Sequence, residues 1–366
     1  MGSRLLDVSG FSKLNSKMMV LWIVIKARLV AKGYTQVEGV DYTERFSPVA
    51  KAVTVRLFLA IGTAKQWPIH QIDITNAFLH GHLDEEIFMT APEGYDVPPG
   101  HVCKLIHSLY GLKQASRQWN LEFTRSLLSF GFLQSMHDHC FFLKKVSSGY
   151  VGLLVYVDDV LIMAPSEDFI AEIKTYLDGL FTIKNLGMSR YFLGLQIARS
   201  ALGTSVTQSK YISDIITDCG LTNSKSVVTP LPQGVKLHSA SDAFLSDPEP
   251  YRRLVGRLLY LGFTRPDISH GVQQLSQFLQ KPCQAHWHAA LHMVRYLKGS
   301  STQGLFFPSS NSSVFELTVM RIGVHVLILV VPSLVSVRFL VMHSFPGKLK
   351  NNVLFRDPLL RPSIGV

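Results

Sequence analysis

The sequence predicts an α+β fold, and three observations predict it. Apolar, β-branched runs bounded by turn residues recur up to about residue 200. A helix-spaced segment sits among them, and residues 208–300 then read mostly as helices. Strand-rich and helix-rich stretches that succeed one another belong to α+β architecture. The chain has 366 residues, enough for two or three domains or one elaborate one. Apolar residues make up 47%, which supports a large core and argues against disorder as the main state.

The elements follow in order. Trp67 to Thr75 reads as a strand with Ile69, Gln71, Asp73 and Thr75 on one face. Gly152 to Val157 and Val160 to Met163 read as buried strands. Only Asp158-Asp159 separates them, so a tight hairpin is expected. Glu167 to Phe181 has helical spacing in Phe169, Ile170, Ile173, Leu177, Leu180 and Phe181. Tyr191 to Ile197 reads as one further strand. Lys210–Cys219, Tyr251–Phe263, Ile268–Leu279 and His286–Leu297 read as helices.

The net charge of +10 is unevenly spread. Residues 1–25 hold three basic and one acidic side chain, and residues 308–366 hold six and two. The 282 residues between hold 27 and 23. Basicity concentrated at the ends is a poor argument for nucleic-acid binding. Cys103, Cys140, Cys219 and Cys283 are scattered with no C-x-x-C pair, which excludes a disulfide scaffold and a cysteine-rich zinc module. Met1 to Lys17 has no apolar core of a signal peptide.

Adjacent aspartates at an apolar hairpin tip require an explanation. Two carboxylates ~4 Å apart repel by about 4 kcal/mol at an effective dielectric near 20. A divalent cation would cancel that repulsion, and oxygen ligands favour Mg²⁺ or Mn²⁺ over zinc. Asp73 ends another strand that could lie beside the hairpin, so three aspartates could form a two-metal site. A solvated Asp-Asp turn is the ordinary alternative.

Tyr156-Val157-Asp158-Asp159 resembles the YVDD signature of reverse transcriptases. Gln71 to Gly81 (QIDITNAFLHG) resembles the first aspartate motif of the Ty1/copia retrotransposon class. Lys26 to Gln36 (KARLVAKGYTQ) is similar to that family's fingers segment, and Ser108 to Trp119 (SLYGLKQASRQW) to its template and nucleotide motif. Tyr191 to Ile197 resembles its primer grip. Thr264 to Ile268 and Val294 to Gly299 resemble its downstream helices. About 280 residues, 26–307, follow the family's order.

The resemblance implies a right-hand polymerase, with fingers and palm over 26–200 and a helical thumb- or connection-like region over 201–307. It implies template-directed addition of dNTPs to a primer 3′-OH on an RNA or DNA template, with Mg²⁺ or Mn²⁺. Asp73, Asp158 and Asp159 match the catalytic carboxylates. Asp73 and Asp158 would be the principal metal ligands, with the Ile74 carbonyl beside them and Asp159 more peripheral. Phe78 stands where the family places an aromatic gate against a ribose 2′-OH; plain core packing is its alternative. Arg28 and Lys32 would hold the triphosphate, or form a solvated basic face. Gln114 would help seat the nucleotide, or be a loop residue. Lys184 would protonate pyrophosphate, or be simply solvated.

Cys283, His286, His288 and His292 have zinc-like spacing, yet the family's matching helix carries a His-Trp pair without a ligand role, so structural histidines are expected. The ends depart from the family. Asp-Ala-Asp-Trp, expected at the start of a ribonuclease H domain, becomes Met-Arg-Ile-Gly when its codons are read one nucleotide late, and Met320-Arg321-Ile322-Gly323 stands here. Phe345 to Asn352 and Val8 to Lys26 can be explained likewise. Residues 1–25 are therefore expected to be an out-of-frame leader and 308–366 an out-of-frame tail replacing ribonuclease H. The apolar run Val324–Met342, carrying His325, Pro332 and Arg338, is then no membrane anchor. Loss of the first fingers strand would leave an exposed edge and weak or no polymerase activity. The rival expectations are a non-catalytic nucleic-acid-binding relic and an inert retrotransposon-derived product. The resemblance implies a cytoplasmic location, in a virus-like particle for intact relatives, or a nuclear one.

Overall fold

The structure, a computed structural model, describes residues 5–6, 8–14, 25–234, 237, 243–309, 315–316, 329–333 and 336–340. It divides into two units, one of residues 1–58 and 67–189, the other of 59–66 and 190–366.

The first unit contains β1 (Leu5–Leu6), β2 (Val8–Leu14), β3 (Ile25–Ala31), the start of α1 (Ala52–Ala64), β4 (Ile69–Ile74), β5 (His82–Met89) and β6 (Cys103–His107). It continues with α2 (Ala115–Ser129), β7 (Leu133–Gln134), β8 (Phe141–Val146), β9 (Gly149–Tyr156), β10 (Asp159–Met163), α3 (Glu167–Leu180) and β11 (Ile183–Met188). Its main sheet has the order β11-β4-β10-β9-β8-β7, all antiparallel. Side chains alternate across it. Ile72, Ile74, Leu153, Val155, Val160 and Ile162 face α2 and α3, where they meet Trp119, Phe123, Leu127, Ile170, Ile173 and Leu177 in one buried core. On the other face Phe58 of α1 meets Phe141 edge-on, ring centres 6.2 Å apart.

The hairpin tip differs from expectation by one residue. Asp159 pairs with Tyr156, so the two loop residues are Val157 and Asp158. Val157 has φ +57° and Asp158 does not, the φ signature of a type II′ turn with valine where glycine is usual. Periodicity counts apolar residues and is blind to which flanking residue enters the ladder.

Two glycines bring β3 to the rest of the unit. The Ala31 N–H donates to the Tyr110 carbonyl at 2.7 Å. A Cβ at Gly111, whose φ is +93°, would stand 2.1 Å from the Ala31 oxygen. A Cβ at Gly33 would stand 2.0 Å from the Gly111 oxygen. The segments KARLVAKG and LYGLKQA thus cross backbone against backbone, which only glycine allows.

The edge expected to be open on β3 is occupied. β2 pairs antiparallel with it from Val8↔Ala31 to Leu14↔Ile25. Strand pairing uses backbone groups and needs no particular side chains, so a segment of unrelated sequence can fill an edge. The rest of the expected leader, other than Leu5–Leu6 in a short sheet with β5 and β6, lies outside the described residues.

The second unit holds β12 (Tyr191–Phe192), β13 (Leu195–Ser200), β14 (Gly203–Thr207), α4 (Ser209–Asp218), α5 (Glu249–Leu261), α6 (Ser269–Ser276), α7 (Gln284–Gly299) and β15 (Leu305–Pro308). The single strand expected over 191–197 is instead two strands. Tyr191↔Gln196 and Phe192↔Leu195 pair around Leu193-Gly194, with φ +49° and +70°. A two-residue turn with both φ positive is type I′, and it folds the segment back on itself. The mainly helical region expected from 201 opens and closes in strands, because β14 pairs with β15. Its helices bury Ile212, Ile215, Tyr251, Leu258, Val272, Met293 and Leu297 together.

Short strands β16 (Phe315–Glu316), β17 (Leu329–Ser333) and β18 (Ser336–Leu340) form a sheet in the order β16-β18-β17. Most of the expected tail, including Met320 to Gly323 and Phe345 to Asn352, lies outside the described residues. Among the described residues no helix is long and apolar enough to cross a membrane.

Candidate active site

The site is built by register. β10 runs against β4 with Asp159 opposite Asp73. Directly opposed residues on antiparallel strands have Cα atoms ~4.5–5.5 Å apart and share a face. One position further, the Ile74 N–H donates to the Asp158 carbonyl at 2.9 Å, tying the hairpin tip to the end of β4. The Ile74 carbonyl leaves its strand on the same side as that N–H, toward the tip. On the far side of β4, Lys184 of β11 lies opposite Asp73 and is exposed. Tyr156, Asp159, Asp73 and Lys184 therefore form one row across four strands.

The tip is held from below. The Trp119 indole N–H of α2 donates to the Val157 carbonyl at 2.6 Å. A β-branched residue at positive φ costs on the order of 1–3 kcal/mol, and this bond helps offset it. Trp119 is buried against Phe123 and Phe181.

The half-buried carboxyls respond to their surroundings. Burial pushes Asp158 above the usual carboxylate range; its own backbone hydrogen bond opposes that, the Asp73 charge adds to it, and Arg28 opposes it. Burial raises Asp159 as well, against a hydrogen bond from Gln71, with Asp158 and Asp73 adding to the rise. The Gln71 amide donates to Asp159 Oδ1 at 3.0 Å. Holding two ionised carboxylates here therefore costs free energy that a cation would return.

The donor set is all oxygen: the carboxylates and a backbone carbonyl. That fits a hard divalent cation. Among the described residues no three His, Cys, Asp or Glu side chains converge to enclose an ion by themselves. Mg²⁺ is commonly held by one or two carboxylates with substrate phosphates and water completing the shell, so two aspartates suffice.

The other expected residues are placed as follows. Arg28 on β3 sets its guanidinium over the Tyr110 ring, 5.2 Å from the centre. Phe78 is half-buried in a short 3-10 turn after Asn76, at φ +55°, and its ring lies 5.1 Å from Tyr110. Lys32 is half-buried, and its carbonyl accepts the Thr35 hydroxyl at 3.0 Å. Gln114 is fully buried: it accepts from the Gln36 amide at 3.1 Å and donates to the Asp41 carbonyl at 3.2 Å. In this structure it binds the 36–41 loop to the start of α2 and presents no exposed atom to a ligand.

Sequence reading missed Tyr110. It touches Arg28 and Phe78, and its hydroxyl feels the Asp158 and Asp73 charges, with burial the main force raising its pKa. Its partners stand on distant segments of the chain, so no local pattern marked it.

The zinc-like histidines do not form a centre. His286 Nδ1 accepts the Cys283 backbone N–H at 3.0 Å, its Nε2 meets the Leu237 carbonyl at 3.0 Å, and its ring stacks on Phe278 at 3.9 Å. His292 Nε2 meets the Thr229 carbonyl at 3.0 Å.

Comparison with known proteins gives the family. The family model described as reverse transcriptase (RNA-dependent DNA polymerase) matches residues 13–233. A retrovirus-related Pol polyprotein from transposon RE1 of Arabidopsis thaliana is 41% identical over 289 residues, 78% of this chain and 20% of the relative. A transposon Ty5-1 protein of Saccharomyces cerevisiae is 34% identical over 252 residues, 68% of this chain and 81% of the relative. A foamy viral protease–reverse transcriptase solved with double-stranded DNA aligns over 82% of this chain and 45% of its own, with 11% identity and a TM-score of 0.41. The chain spans about a fifth of the length of the Arabidopsis polyprotein. The chain belongs to the family of copia-type retrotransposon reverse transcriptases.

Proposed function

We propose that this chain is an RNA-directed DNA polymerase core that extends a primer 3′-OH with dNTPs on an RNA or DNA template. The observation that carries this reading is the register that sets Asp159 opposite Asp73 and ties Asp158 to Ile74. Asp73 and Asp158, with the Ile74 carbonyl, would hold Mg²⁺ or Mn²⁺. The ions would lower the pKa of the primer hydroxyl and neutralise charge on the triphosphate.

The chain's own residues do the rest. Arg28, set by Tyr110, and Lys32 would bind phosphate oxygens. Phe78, backed by Tyr110, would close the space a ribose 2′-OH needs. Lys184, in line with Asp73, would meet the departing pyrophosphate. Gln114 would act through the loop it anchors rather than by touching nucleotide. Extension is expected to be weak, because β2 fills the edge of β3 with a leader read as out of frame, and such a segment supplies pairing without selected contacts to the triphosphate. A cytoplasmic location is proposed with the same reading.

Primer extension on poly(rA)/oligo(dT) by the purified chain tests it. The expected result is low, Mg²⁺- or Mn²⁺-dependent incorporation that Asp158→Asn abolishes. Incorporation that persists in Asp158→Asn, or none at any metal concentration, contradicts the catalytic reading. Robust extension lost in Asp158→Asn contradicts only the impairment.

A further inference from the structure

We infer that Gln71 is a positioning residue: its amide holds the Asp159 carboxylate back along β4 and so keeps it away from the metal that Asp73 and Asp158 would bind. The inference rests on the metal-site reading above and names the residue that makes the third aspartate peripheral.

Gln71 lies two residues before Asp73 on β4, so both side chains project from the same face. Its cross-strand partner is Leu161, and Asp159 stands diagonally from it. The side chain is 6% exposed, beside the fully buried Leu161 and Leu154. In that setting its amide has strong reason to keep the Asp159 Oδ1 contact at 3.0 Å, since letting go would strand a donor in an apolar layer. The contact also fixes the direction of the Asp159 carboxylate, back along β4 and away from the hairpin tip. Among the described residues no side-chain donor holds Asp73 or Asp158 in this way. That leaves two carboxylates at the tip without a side-chain donor, in keeping with the lack of any three-acid enclosure among the described residues. The glutamine amide carries no charge, so it restrains Asp159 without competing for the cation. The Gln71 bond thus gives a structural cause for the peripheral place of Asp159 beside Asp158.

The test is a double-mutant cycle read by Mn²⁺ binding to the full-length chain, followed by electron paramagnetic resonance. Asp159→Asn alone is expected to change the Mn²⁺ Kd by less than about threefold. Gln71→Leu frees the carboxylate and tightens binding about threefold or more, and Asp159→Asn in that background removes the gain. Gln71→Asn, whose amide is too short to reach, serves as the second release variant should the leucine variant fail to fold. Near-ultraviolet circular dichroism checks that each variant keeps its tertiary packing. Weakening of tenfold or more by Asp159→Asn alone would make Asp159 a direct ligand and overturn the inference. So would independent effects at 71 and 159. Asp73→Asn and Asp158→Asn separate the two levels. If neither weakens Mn²⁺ binding, the metal-site reading falls and takes this inference with it. If both do and the cycle shows no coupling, only the role of Gln71 is refuted.

Discussion

Two regions of this chain carry side chains of metal-ligand chemistry, and only in one of them does strand pairing bring acids from distant parts of the chain together. Cys283, His286, His288 and His292 sit within ten residues of each other and have ligand spacing. Two of the histidines are taken by backbone groups: His286 closes the first turn of α7 onto the Cys283 N–H and meets the Leu237 carbonyl, and His292 meets the Thr229 carbonyl. Asp73 and Asp158 are 85 residues apart, and antiparallel pairing brings them to the same strand ends. A histidine in the first turn of a helix finds a backbone partner at hand, because the helix start always has unpaired N–H groups to offer. Residues brought together by a sheet have their backbone groups already paired, so their side chains remain available for a ligand. Ligand spacing within one helix is therefore weaker evidence for a metal than acids meeting across strands.

The largest expected difference between the regions is in metal-dependent chemistry. Asp158→Asn should lower Mn²⁺-supported primer extension by about 100-fold or more, as expected when several kcal/mol of transition-state charge stabilisation is removed. His288→Ala, in the helix cluster, should leave extension unchanged. Equal losses in the two variants would erase the contrast.

The next effect concerns how the tip is held. Trp119→Phe keeps an aromatic ring in the core but leaves the Val157 carbonyl without its donor. Unfolding in urea should show a loss of about 2 kcal/mol, with extension falling further than stability alone explains. A variant as stable and active as the parent would show that the strained turn does not depend on the indole.

A smaller effect is expected at the helix cap. His286→Ala should cost ~1 kcal/mol of stability while leaving Mn²⁺ affinity unchanged, because the ring accepts a cap hydrogen bond and binds no ion. Added zinc should raise the Tm of neither parent nor variant. A zinc-induced rise lost in His286→Ala would restore the metal reading of that helix.

The smallest effect is in pH dependence. Burial holds Asp158 and Asp159 above the ordinary aspartate range, so the folded chain keeps their protons longer than the unfolded chain. Their contribution is full below the unfolded value and is lost as pH rises through the raised folded value. Thermal melts without metal should therefore show Asp158→Asn gaining stability relative to the parent as pH rises from ~3 to ~7, and Mn²⁺ should narrow that gap at the upper end. A gap that widens toward low pH would mean the carboxyls are stabilised in their charged form.

Much of the site could be read from the residues. The apolar runs on either side of Asp158-Asp159 marked a hairpin, and Ile69, Gln71 and Asp73 were correctly placed on one strand face, whereas Thr75 stands past the end of β4 in the turn. The exact ladder position of Asp159 was not legible, because apolar content extends to both sides of the turn and gives no register. Leu193-Gly194 broke an expected strand because its apolar pattern continues through the turn. Helices α1 and α2 were not assigned. Gln114 lies at the start of α2 with its amide turned inward, a direction that depends on the distant Gln36 and Asp41. Tyr110 and the Gln71–Asp159 bond depend on segments meeting in space, which no local pattern encodes.

The most direct test of the central claim is metal-directed backbone cleavage. Fe²⁺ substituted into the purified chain, with ascorbate and peroxide, cuts peptide bonds near the bound ion, and mass spectrometry locates the cuts. The account predicts paired cleavage around residues 72–75 and 157–160, suppressed by excess Mg²⁺ and absent in Asp73→Asn. Cleavage confined to one of those strands, or centred on residues 283–292, would contradict it.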